Sequence, residues 1–268
     1  MPAKKKPRHP LAHSVWSQPL PEIGVWKTRG VTTLLRWEEQ LDAAGKPTVN
    51  LPVYLAAAKA AGMTVSIQLD AVEPIPYVDA TISSFLQPDG TDNAIVNCLG
   101  NHTWATATPT ELQAANAVIQ RAAAFYATAK TKRPDALVYM TIDGWQEQWK
   151  KFPYAPLLDC CDRFLVYYYY DVRGETPAGW LDRMNDTALL DPNKFDGIFI
   201  GCSDQNLNTS YYPNQRPPTV ESVSWTVNTA KSWKCGYTYF PQSFPPPKFI
   251  YDATPPDIAQ AITALDTP

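Results

Sequence analysis

Four carboxylates follow apolar segments that have the composition of β-strands. Asp70 follows the run TVSIQL, Asp143 follows LVYMTI, Asp171 follows FLVYYYY, and Glu38 follows TTLLRW. Two carboxyl groups can hydrolyse a glycosidic bond when one protonates the leaving oxygen and the other is the nucleophile (~5 Å apart) or activates water (~6.5–9.5 Å apart). Asp143 and Asp171 end neighbouring predicted strands, which lie roughly 5 Å apart in a sheet. They are therefore the predicted catalytic pair, with Glu38 and Asp70 as further candidates.

Aromatic and polar side chains accompany these acids at the ends of the same apolar runs. Pyranose rings pack their C–H faces on Trp and Tyr, while sugar hydroxyls need acceptors such as Asp and Gln. This combination predicts a site for an oligo- or polysaccharide. The predicted binding residues are Trp16, Arg36, Trp37, His102, Trp104, Trp145, Tyr169, Asp204, Gln205 and Tyr239.

Each of these residues also has an ordinary structural role. An aspartate at the end of a strand often caps the following helix, and this is the alternative role of Asp70 and Asp204. A single histidine such as His102 is more often a loop hydrogen-bonding residue than a general acid. Any one tryptophan or tyrosine is more often packed in a core than used as a sugar platform.

The elements that must position these residues alternate along the chain. The apolar runs predict strands at residues 12–18, 32–37, 64–69, 94–99, 136–142, 163–170, 197–201 and 236–240. Helical patterns between and after them predict helices at residues 51–61, 110–130, 145–160, 180–190, 219–231 and 256–265. Alternating strands and helices indicate parallel pairing through right-handed crossovers. Eight such units at this length predict an α/β protein with a single (β/α)8 TIM barrel.

An open doubly wound sheet is the alternative fold. Such a sheet usually carries a glycine-rich phosphate turn after its first strand, whereas here that strand is followed by Ser17-Gln18-Pro19. We expect residues 1–11 to be a basic, flexible tail and residues 12–268 to form one barrel domain. Along the third strand, Val65, Ile67 and Leu69 alternate with polar residues that end in Asp70, so the apolar set should face the helices. The polar set then faces the axis, either at a hydrated mouth or in a buried hydrogen-bond network.

Charge and cysteine usage exclude several classes. The net charge of −3 becomes about −7 without Lys4, Lys5, Lys6 and Arg8, which argues against a nucleic-acid-binding body. The odd cysteine count without a CxxC motif predicts reduced, mostly buried thiols. We expect no metal and no cofactor, since no HxH or HExxH spacing occurs. No apolar segment fits a secretory signal or a membrane span, so synthesis in the cytoplasm is predicted.

The chain resembles the glycoside hydrolase-like TIM barrels of the cellulase and β-galactosidase clan over roughly residues 12–265. The matching segments are WKTRGVTTLLRWEE, YLAAAKAAGMTVSIQ, TPTELQAANAVIQRA, YTYFPQS and YDATPPDIAQAITAL. The resemblance implies an acid/base glutamate after strand four and a nucleophilic glutamate after strand seven. Here the first place has the sequence LGNHTWA, without an acid, and in IFIGCSDQ Gly201 stands at the second.

Two functional hypotheses follow from this departure. Either the acids named above have taken over the chemistry, in a divergent hydrolase or a sugar-binding barrel, or the barrel is a catalytically inactive pseudoenzyme. The inactive barrel would have a structural or interaction role with other protein subunits, for example in a phage particle, and would be incorporated into a virion or larger assembly. A barrel enzyme for a phosphorylated metabolite is the weakest option, because no phosphate loop follows strands seven or eight.

Overall fold

Eight parallel strands form the centre of the computed structural model, which describes residues 14–16, 22–37, 51–70, 93–97, 109–134, 137–143, 154–167, 174, 176–202, 216–240 and 254–266. The strands pair in chain order and β8 returns to β1, which closes the barrel. The predicted α/β class and parallel pairing are confirmed. The strands are β1 (Ser14–Trp16), β2 (Thr33–Trp37), β3 (Thr64–Asp70), β4 (Asn93–Asn97), β5 (Leu137–Asp143), β6 (Arg163–Tyr167), β7 (Phe195–Gly201) and β8 (Gly236–Phe240).

Helices alternate with these strands along the described chain. They are α1 (Ile23–Thr28), α2 (Leu51–Ala60), α3 (Pro109–Lys132), α4 (Tyr154–Leu158), α5 (Pro177–Ala188), α6 (Val220–Trp233) and α7 (Pro256–Asp266). Residues 71–92, between β3 and β4, lie outside the described part, as do residues 1–13. The domain boundary at residue 12 therefore stays a prediction. No helix among the described residues has the length and apolar character needed to cross a membrane.

Local sequence signals explain where the later helices begin and end. Thr219 accepts a hydrogen bond from the Ser222 backbone N–H, and the Ser222 hydroxyl accepts one from Thr219 N–H, so the two form a capping box at the start of α6. The same helix ends at Lys234, which adopts the left-handed conformation at φ 56°. In α5, Thr176 caps the Gly179 N–H and Pro177 takes the first helical position.

The strands divide their side chains between two faces, as their alternation predicts. Val65, Val138, Met140 and Ile142 are buried in the core between strands and helices. The predicted direction of the apolar set is therefore confirmed at these positions. Other strand residues are equally buried but lie outside that cluster, and alternation places them on the inner face: Thr33, Tyr139, Thr141, Leu165, Phe199, Thr238 and Phe240.

The inner face is closely packed where β6, β7 and β8 meet. Leu165, Gly197 and Gly236 are level across the three strands. A Cβ on Gly197 would lie 2.8 Å from the Gly236 carbonyl oxygen and 2.9 Å from Leu165 Cδ2. Glycine at position 197 therefore lets the Leu165 side chain fill this part of the barrel.

Two buried or half-buried carboxylates tie helices to strands. Asp162 accepts hydrogen bonds from Val138 N–H at 2.8 Å and from Tyr126 Oη at 3.0 Å, and it forms an ion pair with Lys130 at 2.7 Å. Asp266, the last residue of α7, is 8% exposed and accepts hydrogen bonds from the hydroxyls of Tyr237 and Tyr239. These contacts join α3 to β5 and α7 to β8.

Candidate functional site

The strand register brings polar positions together near the carboxyl ends of β3, β4 and β5. Asp70 pairs with Asn97, and Asn97 pairs with Thr141. Thr141 is fully buried and belongs to the inner face. Residues that pair directly in a parallel ladder share a face, so all three positions belong to the inside of the barrel at one level. This row is the centre of the candidate site.

Asp143 lies two residues beyond Thr141, on the same face of β5, and pairs with Tyr167. Asp70 and Asp143 are thus two strands apart and two residues apart along the barrel. With strands ~4.8 Å apart and ~3.3 Å per residue, their Cα positions are separated by roughly 11 Å. Two of the four predicted acids therefore occupy one face at one end of the barrel.

The register also assigns faces to the predicted residues of β1 and β2. Trp16 pairs with Leu35, two residues from the inner-face residue Thr33, and Trp37 pairs with Gln68. Both tryptophan positions therefore belong to the inner face. Arg36 pairs with Ile67, in a row that continues through Ala94 to Val138 of the helix-facing core. The position of Arg36 thus belongs to the outer face.

Tyr239 is placed differently from the expected contact with a sugar. Its side chain is fully buried in the helix-facing core and stacks on Trp26 at 6.4 Å between ring centroids. Its hydroxyl donates to Asp266 Oδ2 at 2.8 Å, and burial followed by the Asp266 charge raises the pKa of Tyr239 well above its ordinary value. We therefore do not include Tyr239 in the site proposed below.

The remaining predicted residues lie outside the described part of the chain. They are Glu38, His102, Trp104, Trp145, Tyr169, Asp171, Asp204 and Gln205. Their roles stay predictions. At the end of β7, Gly201 is partly exposed and pairs with the buried Phe240.

The structure adds inner-face residues that were not among the predicted binding residues. Thr33 and Thr64 share a hydrogen bond of 2.7 Å between their hydroxyls. Tyr139 is fully buried and pairs with Ile95. This pair lies two residues nearer the N-terminal ends of the strands than the row of Asp70, Asn97 and Thr141. The polar alternation of β5 was a usable signal for Tyr139 and Thr141, whereas Asn97 was hidden inside a run that predicted a longer strand.

The described thiols are structural in character. Cys160, Cys161, Cys202 and Cys235 are free, and all but the half-buried Cys235 are buried. The predicted burial is confirmed for three of these four, and the reduced state stays a prediction. Burial raises the pKa of both Cys161 and Cys235 to about 12, which keeps these thiols protonated. Among the described residues, no group of three or more His, Cys, Asp or Glu side chains is arranged to hold a metal ion.

The fold of this chain is that of the glycoside hydrolase-like TIM barrels. A β-galactosidase from the psychrophilic Marinomonas ef1 superposes with a TM-score of 0.72 at 8% sequence identity, over 94% of this chain and 59% of that protein. A Bacteroides uniformis β-glucuronidase gives 0.69 at 11% identity, over 97% and 35%. A glucosidase from Croceicoccus marinus gives 0.65 at 10% identity, over 96% and 67%.

These similarities concern the fold alone, because the identities are low. The chain spans about a third of the length of the β-glucuronidase and about two thirds of that of the glucosidase. No protein-family model matches the sequence. No curated protein sequence matches it either.

Proposed function

We propose that this protein is a carbohydrate-active barrel that holds an oligo- or polysaccharide at the carboxyl ends of its strands. The supporting observation is the register that sets Asp70, Asn97 and Thr141 at one level of the inner face, with Asp143 above them. The structurally similar proteins are a glucosidase, a β-galactosidase and a β-glucuronidase, all named for action on sugars. Active sites of such barrels lie at this end.

In this proposal the carboxylates divide the work of glycoside hydrolysis. Asp143 and Asp171 form the catalytic pair, in which one is the general acid and the other is the nucleophile or the general base. Asp70 or Glu38 takes one of these roles if Asp143 and Asp171 are not the pair. The roughly 11 Å between the Cα positions of Asp70 and Asp143 allows their carboxyl groups to approach the ~6.5–9.5 Å of an inverting pair. Buried hydroxyls such as that of Thr141 can orient a carboxylate by donating a hydrogen bond.

Sugar contacts in the proposal come from tryptophans and neighbouring polar groups. Trp16 and Trp37 occupy inner-face positions, and Trp145 and Tyr169 follow β5 and β6 in sequence. His102, Trp104, Asp204 and Gln205 supply further contacts from the segments after β4 and β7.

We also propose that the chain forms a complete (β/α)8 barrel, is synthesised in the cytoplasm and uses no cofactor.

Two measurements test the proposal. A panel of oligosaccharides should raise the melting temperature of the full chain, and at least one should release new reducing ends. Asp143→Asn should lower reducing-end release by two orders of magnitude or more while the thermal shift with sugar remains, since removing a general acid or base costs about 10²–10⁴ in rate. Asp182→Asn is the matched control, because Asp182 is an exposed carboxylate on α5. No shift and no release across the panel would refute the proposal.

A catalytically inactive barrel is the second candidate. It is favoured by two strand ends, since β4 ends at Asn97 and β7 at Gly201, neither of which carries a carboxylate. Such a protein would serve a structural or interaction role with other subunits, for example in a phage particle. It predicts that Asp143→Asn and Asp171→Asn leave every measurable behaviour unchanged, including any assembly with a partner subunit.

A further inference from the structure

Exposed lysines collect at the end of the barrel opposite to the candidate site. In a barrel of parallel strands and antiparallel helices, the helix C-termini and the strand N-termini share one end. Lys27, Lys59 and Lys132 lie in the last turns of α1, α2 and α3, and Lys231 and Lys234 lie at the end of α6. All five side chains are exposed. We call this end the basic face.

Guanidinium groups add to the charge of this face, and several of its acids are already engaged. Arg29 and Arg133 immediately follow α1 and α3, Arg163 is the first residue of β6, and all three are partly exposed. Among the described acids there, Asp162 pairs with Lys130 and Asp266 is buried against two tyrosines.

Four more described acids lie near this end of the barrel, and one of them, Asp196, is buried at the start of β7. Asp191 accepts hydrogen bonds from the N–H groups of its own turn. Asp159 and Asp186 are exposed carboxylates. The exposed charge of the basic face is therefore predominantly positive, although acids are present.

The helix macrodipole explains only part of this arrangement. Cations in the last turn of a helix are stabilising, which accounts for Lys27, Lys59, Lys132 and Lys231. Lys234 lies beyond the end of α6 with φ 56° and ψ 31°, in the left-handed conformation that glycine adopts without strain. A lysine at this position strains the backbone and adds an exposed charge. Its position is therefore better explained by a role for the charge.

A basic run precedes β1 in the sequence. Its basic residues are Lys4, Lys5, Lys6 and Arg8. Ser14, the first residue of β1, lies at the N-terminal end of the strands and hence at the basic face.

We infer that the basic face is a docking surface for an anionic lipid bilayer. The cations belong to the ends of separate helices at the same end of the barrel, so a flat surface can contact several of them together. A nucleic-acid rod would contact only those along one diameter. The lysine ammonium is a compact, hydrated point charge on a flexible stem, which suits non-specific attraction to lipid headgroups. Docking in this way directs the candidate site away from the membrane.

Sedimentation of the full chain with vesicles tests the inference. The protein should bind phosphatidylcholine vesicles that contain phosphatidylserine, should not bind pure phosphatidylcholine, and should dissociate as salt is raised. Each lysine near the surface contributes about a fivefold increase in partitioning. The variant with Lys59→Gln, Lys132→Gln and Lys234→Gly should therefore bind roughly a hundredfold more weakly. Lys234→Gly alone should bind more weakly and melt at a higher temperature, which separates docking from folding.

A matched control removes charge from the other end of the molecule. Glu221 and Asp257 are exposed in the first turns of α6 and α7. The variant with Glu221→Gln and Asp257→Asn makes the net charge more positive without touching the basic face, and its vesicle binding should be unchanged. The inference is overturned if anionic vesicles are not bound or if the triple variant binds like the wild type. It is equally overturned if only Lys4, Lys5 and Lys6 are needed, or if duplex DNA binds more tightly than the vesicles.

Discussion

Replacing Gly197 by alanine should destabilise the barrel from its inside. The new Cβ would lie 2.8 Å from the Gly236 carbonyl oxygen, 2.9 Å from Leu165 Cδ2 and 3.1 Å from the Gly236 carbonyl carbon. Two of these atoms belong to the backbone of the paired strand β8, so they cannot rotate away. Overpacking of this kind costs about 1–3 kcal/mol, and contact with backbone places it near the upper end. Replacing glycine by alanine also lowers the conformational entropy of the unfolded chain, which stabilises the folded protein by about 0.4–1 kcal/mol.

The expected net loss is therefore about 2 kcal/mol, which corresponds to a fall in melting temperature of roughly 4–8 °C. Urea unfolding followed by circular dichroism measures it. Gly24→Ala is the control, since a Cβ on Gly24 meets nothing within 4 Å and the residue lies inside α1. That variant should gain about 0.5–1 kcal/mol from helix propensity.

Adding Leu165→Ala to Gly197→Ala separates the two contacts. The double variant should lose less stability than the sum of the single changes, because truncation removes Cδ2 from the clash. If Gly197→Ala unfolds at the wild-type urea concentration, the close packing of β6, β7 and β8 described above is refuted.

Three further predictions follow from the described contacts. Burial and the Asp162 hydrogen bond raise the pKa of Tyr126 from 10.0 to about 12, so the native protein holds this proton more tightly than the unfolded protein. The stability should therefore be intact below pH 10 and should fall as the pH rises toward 12. The variant Tyr126→Phe should reduce the slope of the urea midpoint plotted against pH. Thr219→Ala should lower the free energy of unfolding by about 1 kcal/mol through loss of the capping box, whereas Thr219→Asp should not, as urea unfolding will show. Cys161, which is buried and has a pKa raised to about 12, should resist alkylation until the protein unfolds, as mass spectrometry after iodoacetamide treatment will show; rapid native labelling would contradict its burial.

Strong periodic segments of the fold were predictable from sequence. The predicted strand at residues 236–240 coincides with β8 (Gly236–Phe240), and the predicted helix at residues 219–231 overlaps α6 (Val220–Trp233) because Thr219 is a clear cap. Helix α1 was not predicted. Its six residues, IGVWKT, carry a glycine and three β-branched residues, which have poor helix propensity, so its helical state depends on burying Ile23 and Trp26.

The faces of the aromatic residues were harder to predict than those of the aliphatic residues. Alternation correctly separates Val138, Met140 and Ile142 from the polar residues of β5. In β8, Tyr237 and Tyr239 fit either face, since a tyrosine can pack in a core or contact a ligand. Their partner, Asp266, is distant in sequence and lies at the end of α7. Only three-dimensional contact identifies such a carboxylate, so local pattern could not assign Tyr239 to the helix side.

The pairing of β1 with β8 has a consequence for biosynthesis. Val15 and Tyr239 are neighbours across the seam that completes the ring, although almost the whole described chain separates them in sequence. Nascent polypeptide emerging from a ribosome can assemble βα units early, but the seam stays open until residue 240 has left the exit tunnel. Until then β1 exposes an unpaired edge, so chaperone protection should matter most during the final stage of translation.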